Sequence, residues 1–251
     1  MVQKIEIIGV SGIPIIRPGD NLGEIIIEAV NRMGLTIEDH DIVLVTQIIV
    51  SKAEGRVYSL SEFIPSQDAL NIAATTGKDP RHVEAILREA VRIVRMRGEV
   101  IITETRHGFI CANSGVDLSN VGEGMVALLP IDPDKSAEII RKEIEALTGK
   151  HVAVIITDSH GRPFRRGAIN VAVGCSGIEP IWDRRGEKDL YGRILRSKQI
   201  CIADELASAA ELVMGQADEG VPVAIIRGYR YKASEDGARR IIRPADEDLF
   251  R

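Results

Sequence analysis

The feature that most constrains the fold is a pair of apolar segments separated only by a polar loop. Segments 151–156 and 168–174 are rich in Val, Ile and Ala, which is typical of β-strands, and loop 157–167 carries Gly and Pro without a helical pattern. Consecutive strands break the strict strand-helix-strand order of a doubly wound parallel sheet. The sequence therefore predicts an α+β fold with mixed sheets and packed helices.

The remaining segments mix both kinds of element. Short apolar stretches bounded by turns predict further strands at 4–10, 41–50, 99–103, 108–112 and 221–227. Apolar residues at helical spacing predict helices beginning after Asp20, after Ser66, after Asp79 and extending through Val94, after Asp132 up to Gly149, and over 203–214. We expect one domain over residues 1–251, with two interlocked subdomains as an alternative, and a charged peripheral tail at 232–251.

Composition limits the partners of the chain. Its formal net charge of −5 gives no overall attraction to nucleic acid. The sequence has no apolar run of about 20 residues, the length that spans a bilayer, and its first ten residues lack a signal-peptide core, so we expect a cytoplasmic protein without a membrane partner. Three widely spaced cysteines, Cys111, Cys175 and Cys201, fit buried small side chains better than a disulfide or zinc site.

Four glycine-containing polar loops follow apolar elements, at 47–55, 113–120, 157–167 and 215–222. Two of them carry Asp117 and Asp158, and Ser159 follows the second aspartate. Carboxylate and hydroxyl oxygens suit Mg²⁺ or Mn²⁺ better than zinc or copper. The alternative is that each aspartate only caps a turn, accepting a hydrogen bond from the backbone N–H two residues further on.

The same loops carry cations, namely Lys52, Arg162, Arg165 and Arg166. Guanidinium groups match phosphate oxygens, so these cations together with a divalent ion would neutralise a triphosphate. A solvated turn with salt bridges is the alternative. The common nucleotide-binding fingerprints are absent from the sequence. The residues alone indicate a phosphate-handling site that uses Mg²⁺ or Mn²⁺, and they leave the reaction open.

Five motifs together resemble one known family in order and spacing. They are S-K-A-E-G-R at 51–56, N-S-G-V-D-L-S-N at 113–120, T-D-S-H-G-R-P-F-R-R-G at 157–167, D-L-Y-G-R at 189–193 and A-D-E at 203–205. The set is similar to the coenzyme F420-0:L-glutamate ligase family, also called F420:γ-glutamyl ligase. The resemblance extends from the first strand to about Arg227, which is nearly the whole chain.

The resemblance implies a reaction, cofactors and an assembly. The family joins L-glutamate to coenzyme F420-0 through an acyl phosphate, and then adds a second glutamate through a γ-linkage. It uses GTP, two Mg²⁺ or Mn²⁺ ions and K⁺, and it forms an intertwined homodimer with an α+β fold of its own.

Matching positions carry the family's site residues onto this chain. The GTP contacts would be Ile13, Pro14, Ile15, Ile16, Gln47, Ile48, Lys52, Asn120, Gly215, Gln216, Ala217, Asp218, Glu219, Gly220, Val221 and Pro222. Asp117 and Asp158 would hold the first metal, and Ser159 with the carbonyl of Ala217 the second. The catalytic set would be Asp117, Asp158, Arg162 and Arg165. Three positions depart from the usual family pattern: Gln47, Ser159 and His160.

Two other functions fit the same residues. A relative of this family would attach an amino acid to another phosphorylated carboxylic acid with the same nucleotide site. A non-catalytic nucleotide-binding protein is the third hypothesis, and the presence of both aspartates argues against it, because binding GTP alone does not require two metals.

Overall fold

The computed structural model describes residues 4–249. Its strands are β1 (Glu6–Val10), β2 (Ile42–Thr46), β3 (Val57–Ser59), β4 (Ala90–Arg97), β5 (Val100–Thr105), β6 (Ile110–Ala112), β7 (Met125–Ala127), β8 (Ala153–His160), β9 (Ile169–Ser176), β10 (Ile181–Asp183), β11 (Gln199–Cys201) and β12 (Val223–Arg227). Its α-helices are α1 (Leu22–Arg32), α2 (Gln47–Ala53), α3 (Gln67–Thr76), α4 (Pro80–Glu89), α5 (Pro133–Thr148) and α6 (Ile202–Met214). Short 3₁₀ turns occupy 60–62, 113–115, 238–241 and 245–247.

A five-stranded mixed sheet organises the molecule, with strand order β1-β12-β2-β8-β9. Only β2 and β8 are parallel, and the other three pairings are antiparallel. Because side chains alternate along a strand, Val43 and Val45 pack on one face with α1 and α5, whereas Leu44 packs on the other face with α6. The α+β class and the mixed sheet predicted from the sequence are confirmed.

The chain between α2 and α5 builds a third apolar cluster, which runs from Leu60 to Leu128 and includes residues of α3 and α4. Two small sheets, β4-β5-β6 and β3-β7, belong to this part of the chain. The predicted pairing of strands near 99–103 and 108–112 is confirmed, since β5 and β6 are antiparallel neighbours. This segment positions Asp117, which forms an isolated bridge with Ala127 at the end of β7.

Several sequence-based boundaries are wrong. The loop expected over 157–167 begins only after His160, because β8 continues through Thr157, Asp158 and Ser159. The strand expected over 41–50 ends at Thr46 and is followed directly by α2. The helix expected through Val94 ends at Glu89, because the chain continues as β4 in a sheet with β5. The first helix is capped by Asn21 rather than Asp20, since the Asn21 side chain accepts the hydrogen bond from the N–H of Glu24.

The described part of the expected tail is anchored to the domain. Ala238 is fully buried in the cluster on the α6 face of the sheet. The Asp134 carboxylate accepts hydrogen bonds from the backbone N–H of Ala238 at 2.7 Å and of Cys175 at 2.9 Å. All three cysteines are free thiols, and no helix within residues 4–249 has the length and apolarity needed to cross a bilayer. The homodimer involves a second chain and stays a prediction.

Candidate functional site

A cavity of about 820 Å³ opens at one end of the central sheet, and we call it the sheet-end cavity. It lies where β2 ends at Thr46, where β8 carries Thr157 and Asp158, and where the chain enters β12 after Pro222. Residues from five separate parts of the chain line it, so its shape depends on the whole fold.

The sheet-end cavity brings together most of the predicted site residues. Those among its lining residues are Ile13, Pro14, Ile15, Ile16, Gln47, Ile48, Lys52, Asp117, Asn120, Asp158, Ser159, Gly215, Gln216, Ala217, Glu219, Gly220, Val221 and Pro222. Asp218, Arg162 and Arg165 are the predicted residues outside this lining. Segment 47–55, which forms helix α2 rather than the expected loop, therefore meets segments 113–120 and 215–222 and the aspartate end of β8 in one place.

Asp158 is the most perturbed acid of the cavity. Burial and the neighbouring negative charge of Asp117 raise its pKa to about 7, against a hydrogen bond from the Ser159 N–H at 2.8 Å that favours the ionised form. Both carboxylates line the same cavity. An arrangement of this kind favours a bound cation, because a cation stabilises both ionised acids.

Asp117 is held by its own turn. Its carboxylate accepts hydrogen bonds from the backbone N–H of Ser119 at 2.8 Å and from the Ser119 hydroxyl, and its backbone pairs with Ala127. The turn-capping alternative is therefore confirmed for Asp117, and the same carboxylate also lines the sheet-end cavity. Capping fixes the carboxylate rather than excluding it from the site.

Helix α2 presents Lys52 to the cavity from its last turn, and burial lowers the pKa of this ammonium group. The position of the helix end is set by Glu54, whose carboxylate accepts hydrogen bonds from the N–H of Ile131 at 3.2 Å and from the Ser136 hydroxyl. Ala53 also accepts a hydrogen bond from the N–H of Gly19 at 2.8 Å. The C-terminal end of α2 is therefore hydrogen-bonded both to a segment that precedes it in the sequence and to a segment that follows it.

Loop 215–222 closes on itself through Glu219, whose carboxylate accepts a hydrogen bond from the N–H of Ala217 at 2.8 Å. This bond lowers the pKa of Glu219. Gly215 has a φ of +69°, and a Cβ there would collide with the Glu219 carboxylate, so the turn requires glycine. At the other end of the loop, the Pro222 carbonyl accepts the N–H of Thr46 at 3.0 Å, which ties the loop to β2.

Residues 161–167, the Arg loop, lie beside the cavity lining rather than within it. Arg162 donates hydrogen bonds to the carbonyls of Gly167 at 3.4 Å and Arg166 at 3.2 Å, and so it braces its own loop. Arg165 and Arg166 are exposed. Among residues 4–249 these three arginines form no ion pair within 4.0 Å, so the salt-bridged turn is not what the structure contains.

Sequence reasoning missed several lining residues, among them Arg17, Thr46, Ser119, Thr157 and Asn170. The pattern Asp-Leu-Ser carried a usable signal for Ser119, because an aspartate two residues before a serine is typical of a turn that the aspartate caps. The two threonines carried none, since each directly follows apolar strand residues and is indistinguishable there from a core residue.

The donors present fit a divalent metal of the Mg²⁺ or Mn²⁺ type. Across residues 4–249 no group of three or more His, Cys, Asp or Glu side chains is arranged to hold a metal ion. The residues that line the sheet-end cavity instead include two aspartates, Ser159 and most of loop 215–222, whose donor atoms are oxygens. Such all-oxygen sites with few protein carboxylates suit a metal that keeps waters and phosphate oxygens as ligands.

The fold and the cavity define this molecule first as an α+β protein with a large cleft, lined by two aspartates, at the end of a mixed sheet. The F420-0:Gamma-glutamyl ligase family matches residues 12–228. Relatives named Coenzyme F420:L-glutamate ligase include those of Methanothermobacter thermautotrophicus, 53% identical over 98% of this chain and 99% of the relative, and Methanocaldococcus jannaschii, 52% identical over 99% and 98%. The relative of that name in Archaeoglobus fulgidus is 42% identical over 99% and 97%. The chain belongs to the F420-0:Gamma-glutamyl ligase family and is a ligase that forms C–N bonds.

Proposed function

We propose that this ligase joins L-glutamate to the carboxylate of coenzyme F420-0, and then adds a second glutamate through a γ-linkage, with GTP and divalent metal. The observation that carries the proposal is the meeting of Asp117 and Asp158 in one cavity with Lys52 and loop 215–222. The family membership and the relatives' names support the two substrates. GTP, the divalent metals and the acyl-phosphate intermediate are part of our proposal and go beyond what the family and the relatives' names indicate.

The charges that line the sheet-end cavity are the reason why the proposal includes divalent metal. The charged residues that line the sheet-end cavity are Arg17, Lys52, Asp117, Asp158 and Glu219, so acids outnumber bases. A triphosphate would be repelled by that cavity alone. Asp117 and Asp158 would hold a first Mg²⁺ or Mn²⁺ ion, and Ser159 with the Ala217 carbonyl a second. When bound, such ions neutralise phosphate charge and polarise the phosphoryl group.

In the proposed reaction the amide bond forms in two steps. The F420-0 carboxylate attacks the γ-phosphorus of GTP, which releases GDP and forms an acyl phosphate. The glutamate amine then attacks the acyl carbon, inorganic phosphate leaves, and the amine loses a proton. Phosphoryl transfer of this kind depends on positioning and on charge neutralisation, so no protein nucleophile is required. In this chain Lys52 would contact phosphate, and loop 215–222 would enclose the nucleotide.

The arginines, K⁺ and the homodimer complete the proposal. Arg162 and Arg165 lie outside the cavity lining, so we assign them to an anionic group of phosphate or glutamate at its margin. The K⁺ requirement and the intertwined homodimer follow from the family resemblance. Replacement of K⁺ by Na⁺ in the assay and light scattering of the purified protein test these two points.

The deciding experiment is incubation of the protein with F420-0, L-glutamate, GTP and Mn²⁺, followed by mass spectrometry. We expect products heavier by one and then two glutamyl units, together with GDP and phosphate in equal amounts. GTP turnover only with a different phosphorylated carboxylic acid would favour a related amino-acid ligase instead. Nucleotide binding without any turnover would favour a non-catalytic protein.

A further inference from the structure

Two buried hydroxyl groups at the floor of the sheet-end cavity make no hydrogen bond within the described chain. They belong to Thr46, the last residue of β2, and Thr157 on β8, and both residues line the cavity. Thr157 is completely buried. A buried polar group without a partner destabilises the fold, so two of them at one place call for a physical reason.

The sheet places these hydroxyls side by side. Thr46 and Thr157 are direct partners in the parallel register of β2 and β8, whose strands lie about 5 Å apart. Thr46 follows Leu44 and Thr157 follows Ile155 at a spacing of two, and both apolar residues pack on the α6 face. The two side chains therefore point to the same face of the sheet, as neighbours on adjacent strands.

Local structure does not use either group. Thr46 precedes α2 as its N-cap residue, yet its side chain accepts no capping hydrogen bond from that helix. Its backbone N–H is already satisfied by the Pro222 carbonyl. Thr157 directly precedes Asp158, which we assign to the metal. The pair thus lies between a metal-binding acid and the loop that would enclose the nucleotide.

We infer that Thr46 and Thr157 form a paired-hydroxyl subsite that donates hydrogen bonds to a phosphate oxygen of the substrate in the sheet-end cavity. The inference rests on the proposed function for the presence of phosphate. A phosphate oxygen carries charge and accepts several hydrogen bonds, so it satisfies both hydroxyls at once. The phosphate belongs to the nucleotide or to the phosphodiester arm of F420-0, and the test separates the two.

Isosteric variants distinguish a ligand-binding role from a structural role, because the two roles predict different changes in the melting temperature of the unliganded protein. Thr46→Val and Thr157→Val remove only the hydroxyl, so we expect the melting temperature of the unliganded protein to stay equal or to rise by up to about 4 °C. Binding of a non-hydrolysable GTP analogue with Mn²⁺, measured by calorimetry, should weaken about ten- to a hundredfold. The matching Thr→Ser variants keep the hydroxyl and should bind like the original protein.

Thr105→Val is the matched control. Thr105 is as buried as Thr157, but its hydroxyl accepts a hydrogen bond from the N–H of Phe109 at 3.1 Å, and it does not line the cavity. This variant should melt at a lower temperature and bind ligand normally.

F420-0 is titrated in a second arm, without nucleotide. Weakening confined to F420-0 would assign the subsite to the phosphodiester arm, and weakening confined to the analogue would assign it to GTP. Unchanged binding of both ligands by both valine variants would overturn the inference, and so would valine variants that melt lower, as expected for hydroxyls satisfied by a structural water. Unchanged binding in the variants contradicts only this inference and leaves the proposed function intact. Failure of the original protein to bind either ligand would contradict the inference and the proposed function together.

Discussion

At the scale of single residues, the surroundings of Asp158 disfavour the ionised form of its carboxylate. Burial and the charge of Asp117 raise its pKa to about 7 in the metal-free protein, from an unfolded value near 3.8. The folded state then binds more protons than the unfolded state between about pH 4 and 7. Folding stability is therefore lost as the pH rises through this range, and the full penalty is present above pH 7.

Asp158→Asn removes this penalty. We expect the metal-free variant to be more stable than the original protein at pH 8, by on the order of 1–2 kcal/mol or about 2–8 °C in melting temperature, and to lose the advantage near pH 4. Differential scanning calorimetry in EDTA across this pH range measures the effect. Activity should be abolished at every pH. An equal or lower melting temperature at pH 8 would contradict burial and the Asp117 charge as the causes of the raised pKa.

The aspartates could be found from sequence, and the threonines could not. Asp117 and Asp158 fall in segments that the sequence predicts as polar loops, where a carboxylate without an evident partner is visible to inspection. Thr46 ends β2, and Thr157 lies within β8 directly after its apolar part, and a threonine at either place fits a core position as well as a ligand contact. Only the partners of a hydroxyl distinguish the two cases, and those depend on how β2, β8 and loop 215–222 pack.

At the scale of elements, two errors share one physical origin. Residues 41–50 form one apolar run, and the β-branched residues in it favour a strand throughout, yet α2 begins at Gln47. Residues 90–97 continue the apolar spacing of α4, yet they form β4. In both segments tertiary packing overrides local preference. Helices α3, α5 and α6 were predictable because caps or glycine stops agree with their apolar spacing.

Glu54 fixes the end of α2, so its loss should affect nucleotide binding through Lys52. Glu54→Ala removes two hydrogen bonds, each worth about 0.5–1.5 kcal/mol, and should lower the melting temperature by about 2–8 °C. The KM for GTP should rise severalfold while kcat changes less. Ser136→Ala removes only one of the two bonds and should give a smaller change in both quantities. A lower melting temperature with an unchanged KM would separate Glu54 from the site.

The Arg loop is expected to act on a substrate other than the nucleotide base. Arg165 is exposed and outside the cavity lining, so Arg165→Ala should leave the melting temperature within about 1 °C. We expect the KM for glutamate or F420-0 to rise about tenfold, with the KM for GTP changed less. Steady-state kinetics with each substrate varied in turn measures this. Arg239→Ala, another exposed arginine, is the control, and equal kinetics for the two variants would remove Arg165 from the site.

At the scale of the whole molecule, the two acids come from different parts of the chain. Asp158 belongs to the central sheet, whereas Asp117 belongs to the segment between α2 and α5 with its own apolar cluster. Buried Glu89 ties distant parts of this segment to one another by pairing with Arg56 at 3.0 Å and with Arg106 at 2.6 Å. Arg56 also donates to the Leu129 carbonyl, where the segment leads to α5. Assembly of the site therefore requires both clusters to be folded and docked.

Ligand binding should for that reason stabilise the whole fold, and metal and nucleotide should do so together. Saturation at about one hundred times the dissociation constant contributes about 2.7 kcal/mol, or about 5–10 °C in melting temperature. We expect this shift with GTP plus Mn²⁺ and little shift with GTP plus EDTA, because Asp117 and Asp158 repel phosphate when no cation neutralises them. Asp117→Asn weakens that repulsion and should reduce the difference between the two conditions. An equal shift by GTP with and without metal, measured by thermal denaturation, would mean that the nucleotide binds away from the two carboxylates.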